Sequence, residues 1–298
     1  MSAGQIHDLG YKRYAGSRRS TGTRWIVIMR HQLATAWRTW WRFKMWLVAA
    51  VMATGIAAAF LYLASGKLFR MIGGAGGAAV RFADGILPLS TVWYGKIGFV
   101  VSLTISATVV AGDIQSGAFT FYFARSVEAR DYVLGKLVGL LILVSMIMML
   151  GPVLLAVLRF GLSDDLDQVS ALLPIVPKAL AVGALGTLIY AAVPFGFSAL
   201  VGNRGYAVAL WAAYDIVIGG LAQLLGHVGN PAIAALDLPS ALQAVSFDLF
   251  DLRLLGPRDH AIPTSVALLS ILAHAALAIG VVYWRVRRAK ESGVGGSS

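Results

Sequence analysis

Long stretches of this chain pass without a single Asp, Glu, Lys or Arg: residues 45–66, 137–158 and 179–202 contain none. An apolar block of about 18 residues or more is long enough to cross the ~30 Å hydrocarbon layer of a bilayer as a helix. A helix is required there, because a backbone facing lipid must satisfy its own hydrogen bonds. A membrane barrel would alternate apolar and polar positions, and these blocks do not. The pattern predicts six spans, at 45–66, 89–111, 136–158, 179–201, 206–225 and 264–284. Lys96 interrupts the second, but a lysine stem can carry its ammonium out to the headgroups. Trp93, Tyr94, Tyr283 and Trp284 fall at the predicted interfaces, the level that amphipathic rings prefer. Pro152 and Pro194 lie inside spans, where neighbouring helices compensate for the lost N–H.

The flanks have a different pattern. Residues 1–23 are polar and basic and are expected to be flexible. They hold no apolar stretch of the kind a cleaved leader needs, so the first span is expected to be retained. Residues 24–44 form a separate element. On a helical wheel Arg24, His31, Arg38 and Arg42 fall within about 40° of one another. Ile26, Met29, Leu33, Trp37 and Trp40 gather on the opposite side, with Arg30 off the pattern. A basic face opposite a Trp-rich face predicts an interfacial helix lying on membrane lipid. In the segment 226–263 the pattern predicts one or two short helices, best supported over 236–244, and residues 285–298 read as a polar tail. The fold class is an all-α polytopic membrane protein, with an N-terminal interfacial amphipathic helix followed by a six-helix transmembrane domain over 45–284.

Composition strengthens this picture. The chain is 58% hydrophobic, 13% charged and has a mean hydropathy of +0.75, where a soluble domain carries about 25% charged residues. A net charge of +11 raises the question of nucleic acid, but its placement answers otherwise. Nine of the 25 Lys and Arg lie in the first 44 residues, beside the first span, as in a cytoplasmic flank against anionic lipid. With that flank inside, seventeen of the 25 fall in inner segments. Asp164, Asp165, Asp167, Asp237, Asp248, Asp251 and Asp259 collect outside. Both termini are therefore expected in the cytoplasm. With no cysteine, disulfides and thiolate metal sites are excluded.

The most informative segment joins spans two and three. It runs Gly112-Asp113-Ile114-Gln115-Ser116-Gly117-Ala118, continues through Phe119–Phe123 and Arg125-Ser126, and returns to the membrane through Tyr132-Val133-Leu134-Gly135-Lys136. In this segment the chain resembles the permease subunits of type-2 ABC exporters. In those proteins an acidic residue, a Ser-Gly turn, an aromatic run, an Arg-Ser or Arg-Pro and a Tyr-x-x-Gly-Lys occupy the same connection. Ser126 stands where Pro is frequent, so this turn is less rigid. The motif spans about 25 residues; elsewhere the likeness is one of outline only. The resemblance implies an ATP-driven exporter in a bacterial inner membrane. It implies a partner cytoplasmic ATPase that carries ATP and Mg, and a second permease subunit, identical or related. It makes Asp113, Ile114, Gln115, Ser116, Gly117 and Arg125 the ATPase-coupling loop, with Ile114 at its apolar tip and Asp113 capping a helix that begins there. Asn203 and Arg204 would form a lesser contact.

The chain itself has no nucleotide-binding G-x-x-x-x-G-K-[ST] pattern, no H-E-x-x-H and no G-x-S-x-G, so it is not expected to be an enzyme on its own. His227 and His260 share an outer segment with Asp237, Asp248, Asp251 and Asp259; a solvated acidic loop explains them without a metal. Asp215 and His274 lie ~14–15 Å into spans five and six. An ionised group at that depth must face protein or water and find a partner, which makes the two either a packing pair or part of a translocation path. Gly135-x-x-x-Gly139 permits a close helix contact. A membrane scaffold or assembly factor without an ATPase is the competing class. Substrate identity is not encoded in any of these residues.

Overall fold

The computed structural model describes residues 21–65, 76–124, 127–162, 172–251 and 262–291, and every regular element among them is helical. Helix α1 is Arg24–Arg38. Span one opens with a π turn, Trp40–Lys44, and continues as α2, Met45–Ser65. Span two is α3, Gly76–Val101, then a π turn at Ser102–Ser106 and α4, Val109–Gln115. After the short α5, Ala118–Phe123, span three rises as α6, Ala129–Met148, and α7, Leu150–Gly161. Pro152 has no N–H for the carbonyl of Met148, and the helix divides beside it, at Met149. Span four is α8, Ile175–Leu200. Span five is α9, Arg204–Ala213, a π turn at Tyr214–Ile218 and α10, Gly219–Val228. Span six is α12, Thr264–Glu291, preceded by a 3₁₀ turn, Pro231–Leu236, and α11, Leu238–Leu249.

Six of these helices are long and apolar enough to cross a membrane, so the chain is an all-α multi-pass membrane protein. Helix α8 is central, packed by α12, α6, α7, α3 and α9. Trp211, Tyr94, Tyr132, Tyr190 and Phe195 are fully buried around it. Between helices in lipid, close packing and hydrogen bonds hold the bundle, because lipid tails are as apolar as the side chains. Trp211 Nε1 accordingly donates to Ser102 Oγ at 2.7 Å, and Ser198 Oγ accepts from the N–H groups of Val110 and Ala111, both at 3.0 Å, in the first turn of α4, where a helix has no carbonyls of its own for its N–H groups. Spans one and five are peripheral, with Val51, Met52, Ile56, Phe60, Ile216, Val217, Leu221 and Leu224 exposed.

Two local expectations are corrected. The amphipathic wheel drawn through residue 42 does not hold, because Thr39 is extended (φ −111°, ψ 128°). Trp40 and Arg42 belong to the π turn that opens span one. The face that α1 packs is also different: it buries Ile28, Gln32 and Ala36, an i, i+4, i+8 stripe. That stripe lies on α6 at Gly135 and Gly139. A Cβ on Gly135 would come within 2.6 Å of the Trp25 carbonyl, and one on Gly139 within 3.1 Å of Gln32 Cβ.

The second correction concerns the segment before span six, which does not stay outside the bundle. After Val228 the chain turns back beside α10. A Cβ on Gly226 would meet Ala234 at 2.7 Å, and one on Gly219 would meet Asp237 Oδ1 at 2.5 Å. The hairpin thus descends to the middle of span five, and α11 then climbs back between α12, α3 and α8. Asp237, read from sequence as a solvated acid, is 4% exposed. It caps α11, accepting from Ser240 N at 3.2 Å, with Pro239 following in the first turn. The predicted helix over 236–244 corresponds to this capped α11.

Candidate functional site

The connection between spans two and three forms a compact knob. Helix α4 ends where Ser116 Oγ donates back to the Gly112 carbonyl at 2.8 Å. Gly117 then takes φ +67°, a left-handed conformation that costs glycine little and other residues more. Its carbonyl accepts from the Thr120 N–H at 3.1 Å and the Thr120 hydroxyl at 2.7 Å, which starts α5. Phe119 turns inward, its ring 5.3 Å from Tyr132 and 5.5 Å from Phe123. Span three begins under a reciprocal cap, in which Asp131 accepts from the Glu128 N–H at 3.1 Å.

An ion pair closes the knob from beneath. Lys136 Nζ lies 2.8 Å from Asp113 Oδ2, with side-chain exposures of 5% and 18%. Tyr132 donates its hydroxyl to the same oxygen at 2.7 Å. Lys136 also donates to Gln32 Oε1 of α1 at 3.3 Å, and lies 5.6 Å from the Tyr132 ring. Charge-assisted bonds of this kind are short and directional. Burial, and then the charge of Asp113, push the Tyr122 phenol up to about 12, so it is neutral at any physiological pH. The loop between spans four and five joins the same knob. Asn203 caps α9 by accepting from Gly205 N at 2.8 Å, and Arg204 N donates to Gln115 Oε1 at 3.4 Å. The Arg204 guanidinium lies over Gly112, where a Cβ would come within 2.5 Å of Nε.

These contacts reassign two roles. Asp113 lies in the last turn of α4 and caps no helix; it is the partner of Lys136. Ile114 is half-buried and packed toward Gly202, at 3.5 Å from where a Cβ would stand there. The exposed apolar side chain is Phe121, at 76%; Gln115, Ser116 and Thr120 are exposed as well. Arg125 lies outside the described residues. On α1 and the following turn, Arg38, Arg42, Trp37 and Trp40 are exposed and Arg24 is partly covered; Trp37 rests edge-on against Phe43 at 5.4 Å.

Asp215 and His274 do not pair. His274 Nε2 lies 2.6 Å from the Tyr214 hydroxyl, and Nδ1 lies 2.7 Å from the Ser270 carbonyl. Among the described residues no three His, Asp or Glu side chains converge as metal ligands would. Sequence reasoning did not single out Gln32, took Phe121 only as part of the aromatic run, and read Asp237 as a solvated acid. A signal existed for the last, since Asp-Leu-Pro-Ser is an N-cap followed by an early proline. The chain matches no protein-family model and no curated protein.

Proposed function

We propose that the chain is the permease subunit of an ATP-driven exporter, coupled through the knob at 112–123 to a separate ATPase that holds ATP and Mg. On this reading it sits in a bacterial inner membrane with both termini in the cytoplasm and works beside a second permease subunit. Helix α1 and the turn at Trp40–Lys44 then rest at the headgroups, with Arg38 and Arg42 beside anionic lipid.

The observation that carries the reading is the construction of the knob. A loop that only joined two spans would not need a buried ion pair, an inward aromatic cluster and a bond to the next loop. Here Asp113, Lys136, Tyr132 and Gln32 tie spans two and three and α1 into one unit, and Phe121 stands exposed on it. Such a tip can pass a push from a docked partner to both spans without bending. A nucleotide can bias the permease only if the ATPase contacts two conformations differently, and a rigid tip gives it a surface to do so.

The test replaces Phe121 with Asp. An exposed side chain changes fold stability little, within about 0.5 kcal/mol, whereas a charge placed into an apolar groove on a partner is costly. The full-length protein, tagged and purified from native membranes in mild detergent, is expected to bring down a vanadate-sensitive ATPase. The Phe121→Asp chain is expected to insert and melt normally and to lose most of that activity. A wild-type chain that purifies without any ATPase, or a variant that retains it fully, would overturn the reading.

A further inference from the structure

Span six does not end where its apolar run ends. Its helix continues to Glu291, and the buried Val282 and Val286 keep it against the bundle almost that far. The outward face changes character along its length. Leu269, Leu272 and Leu277 are exposed on it, Tyr283 and Trp284 follow, and Arg287, Arg288 and Lys290 stand exposed beyond them. A Cβ on Gly280 would meet nothing within 4 Å, so the face is shallow just short of Trp284. Trp and Tyr favour the membrane–water boundary, and Arg288 lies four residues, ~6 Å, past Trp284. Acyl chain, interface and phosphate would each meet a matching side chain, in that order, on one helix face.

The guanidinium groups at this end are held in place. Arg288 lies over the Trp284 ring, 5.6 Å from its centre, a cation–π contact. Arg287 donates to Glu291 through Nε at 2.7 Å, which leaves its terminal nitrogens open. The start of span three stands beside them. An open hollow of about 300 Å³ between the two helices is lined by Arg130, Tyr283, Arg287 and Lys290, with Glu128 and Glu291. A second hollow, of about 430 Å³, is lined by Trp284, Arg287, Arg288 and Glu291.

Both carboxylates are already matched, Glu128 by Arg130 at 2.8 Å and Glu291 by Arg287. Among the described residues Arg288 and Lys290 form no ion pair. The two hollows therefore carry a positive excess at the level where lipid phosphates lie. A guanidinium can hold a phosphate through two parallel N–H bonds, and basic pockets between spans at this depth suit anionic headgroups.

We propose that the end of span six is a binding site for an anionic phospholipid. Arg287 and Arg288 hold its phosphate, and a chain lies along the face at Leu272, Leu277 and Gly280. The assignment needs only that the chain spans a membrane, and it holds whether or not an ATPase is its partner.

Native mass spectrometry of the full-length protein tests it, with micelles holding equal amounts of phosphatidylglycerol and phosphatidylcholine. In the second lipid the headgroup's own ammonium offsets the phosphate. The native chain is expected to retain phosphatidylglycerol in preference. Arg288→Gln is expected to lower that preference about fivefold, the share of one basic contact near a charged surface, and Arg287→Gln/Arg288→Gln to lower it further. Trp284→Ala removes no charge but takes away the shelf under Arg288, and is expected to weaken the preference as well. These side chains are exposed, so all three variants are expected to melt with the native chain. Arg30→Gln removes one exposed charge from α1 and is expected to change nothing. Millimolar glycerol phosphate, a headgroup without chains, is expected not to displace the lipid.

A loss in Arg30→Gln as large as in Arg288→Gln, with Trp284→Ala unchanged, would mean general attraction to a basic flank and would overturn the site. Displacement by glycerol phosphate would overturn it in favour of a soluble phosphate ligand. An unchanged preference in Arg287→Gln/Arg288→Gln would also overturn it, and loss of a co-purifying protein from that variant would mark the surface as a protein contact instead.

Discussion

Lys136 shows how a buried charge comes to organise a surface feature. Its ammonium is nearly inaccessible, yet it meets Asp113, Gln32 and the face of Tyr132 at once. Removing one member of such a pair leaves the other charge buried and alone, which typically costs about 3–5 kcal/mol. Lys136→Met is therefore expected to lower the melting temperature in detergent substantially. The double variant Asp113→Asn/Lys136→Met is expected to recover most of the loss, because no uncompensated charge remains. A double variant no more stable than Lys136→Met would show that Lys136 acts through packing alone. The sequence displayed both residues in one motif but not their relation. At positions 113 and 136 they belong to different helices, and no periodicity connects them. Ile114 was taken for the exposed apolar tip in place of Phe121 for a similar reason: both are apolar side chains of one short connection, and the sequence does not show that Ile114 packs toward Gly202 while Phe121 stays exposed.

At the level of elements, the contact between α1 and α6 depends on absent side chains. Gly135 and Gly139 let the backbone of α1 come close enough for Ile28, Gln32 and Ala36 to seat against α6. Gly135→Leu is expected to force α1 off this groove, and limited proteolysis of the purified protein would then cut within residues 24–38. Gly55→Leu is the matched control, because a Cβ there meets nothing within 4 Å, and it is expected to leave the digestion pattern unchanged. Equal digestion of the two variants would mean that α1 is held by something other than this groove. The Gly-x-x-x-Gly pattern was visible in the sequence, although its partner was not. Amphipathicity shows which side of a helix is apolar, whereas the buried stripe of α1 follows the shape of α6. The hairpin before span six was legible as turns and caps, from Asn230-Pro231 and Asp237-Leu-Pro. Its descent into the bundle was not, because that depends on the small residues Gly219 and Gly226 in a different element.

For the whole molecule, the six spans follow from length and hydropathy alone, and their order along the chain was readable throughout. Orientation rests on the placement of basic residues, and the absence of cysteine from the natural chain makes it simple to measure. Single cysteines at Ser116 and Asn203 are expected to stay unlabelled by a membrane-impermeant thiol reagent added to intact cells, and to react once the cells are opened. A cysteine at Asp248 is expected to react from outside. Labelling of Ser116→Cys in intact cells would invert the topology and remove the knob from the reach of a cytoplasmic partner.

The three π turns among the described residues, at Trp40–Lys44, Ser102–Ser106 and Tyr214–Ile218, carry a mechanical consequence. Each holds one residue more than an α-helical turn would need. If that surplus residue passes along the helix, everything beyond it turns by about 100° and advances by about 1.5 Å, while the span stays continuous. Two of these places, Ser102–Ser106 and Tyr214–Ile218, adjoin the Ser102–Trp211 bond, so spans two and five can each take a single screw step about a shared pin. Twist delivered at the knob would then reach the level of Asp215 as rotation of a helix, without any hinge having to open.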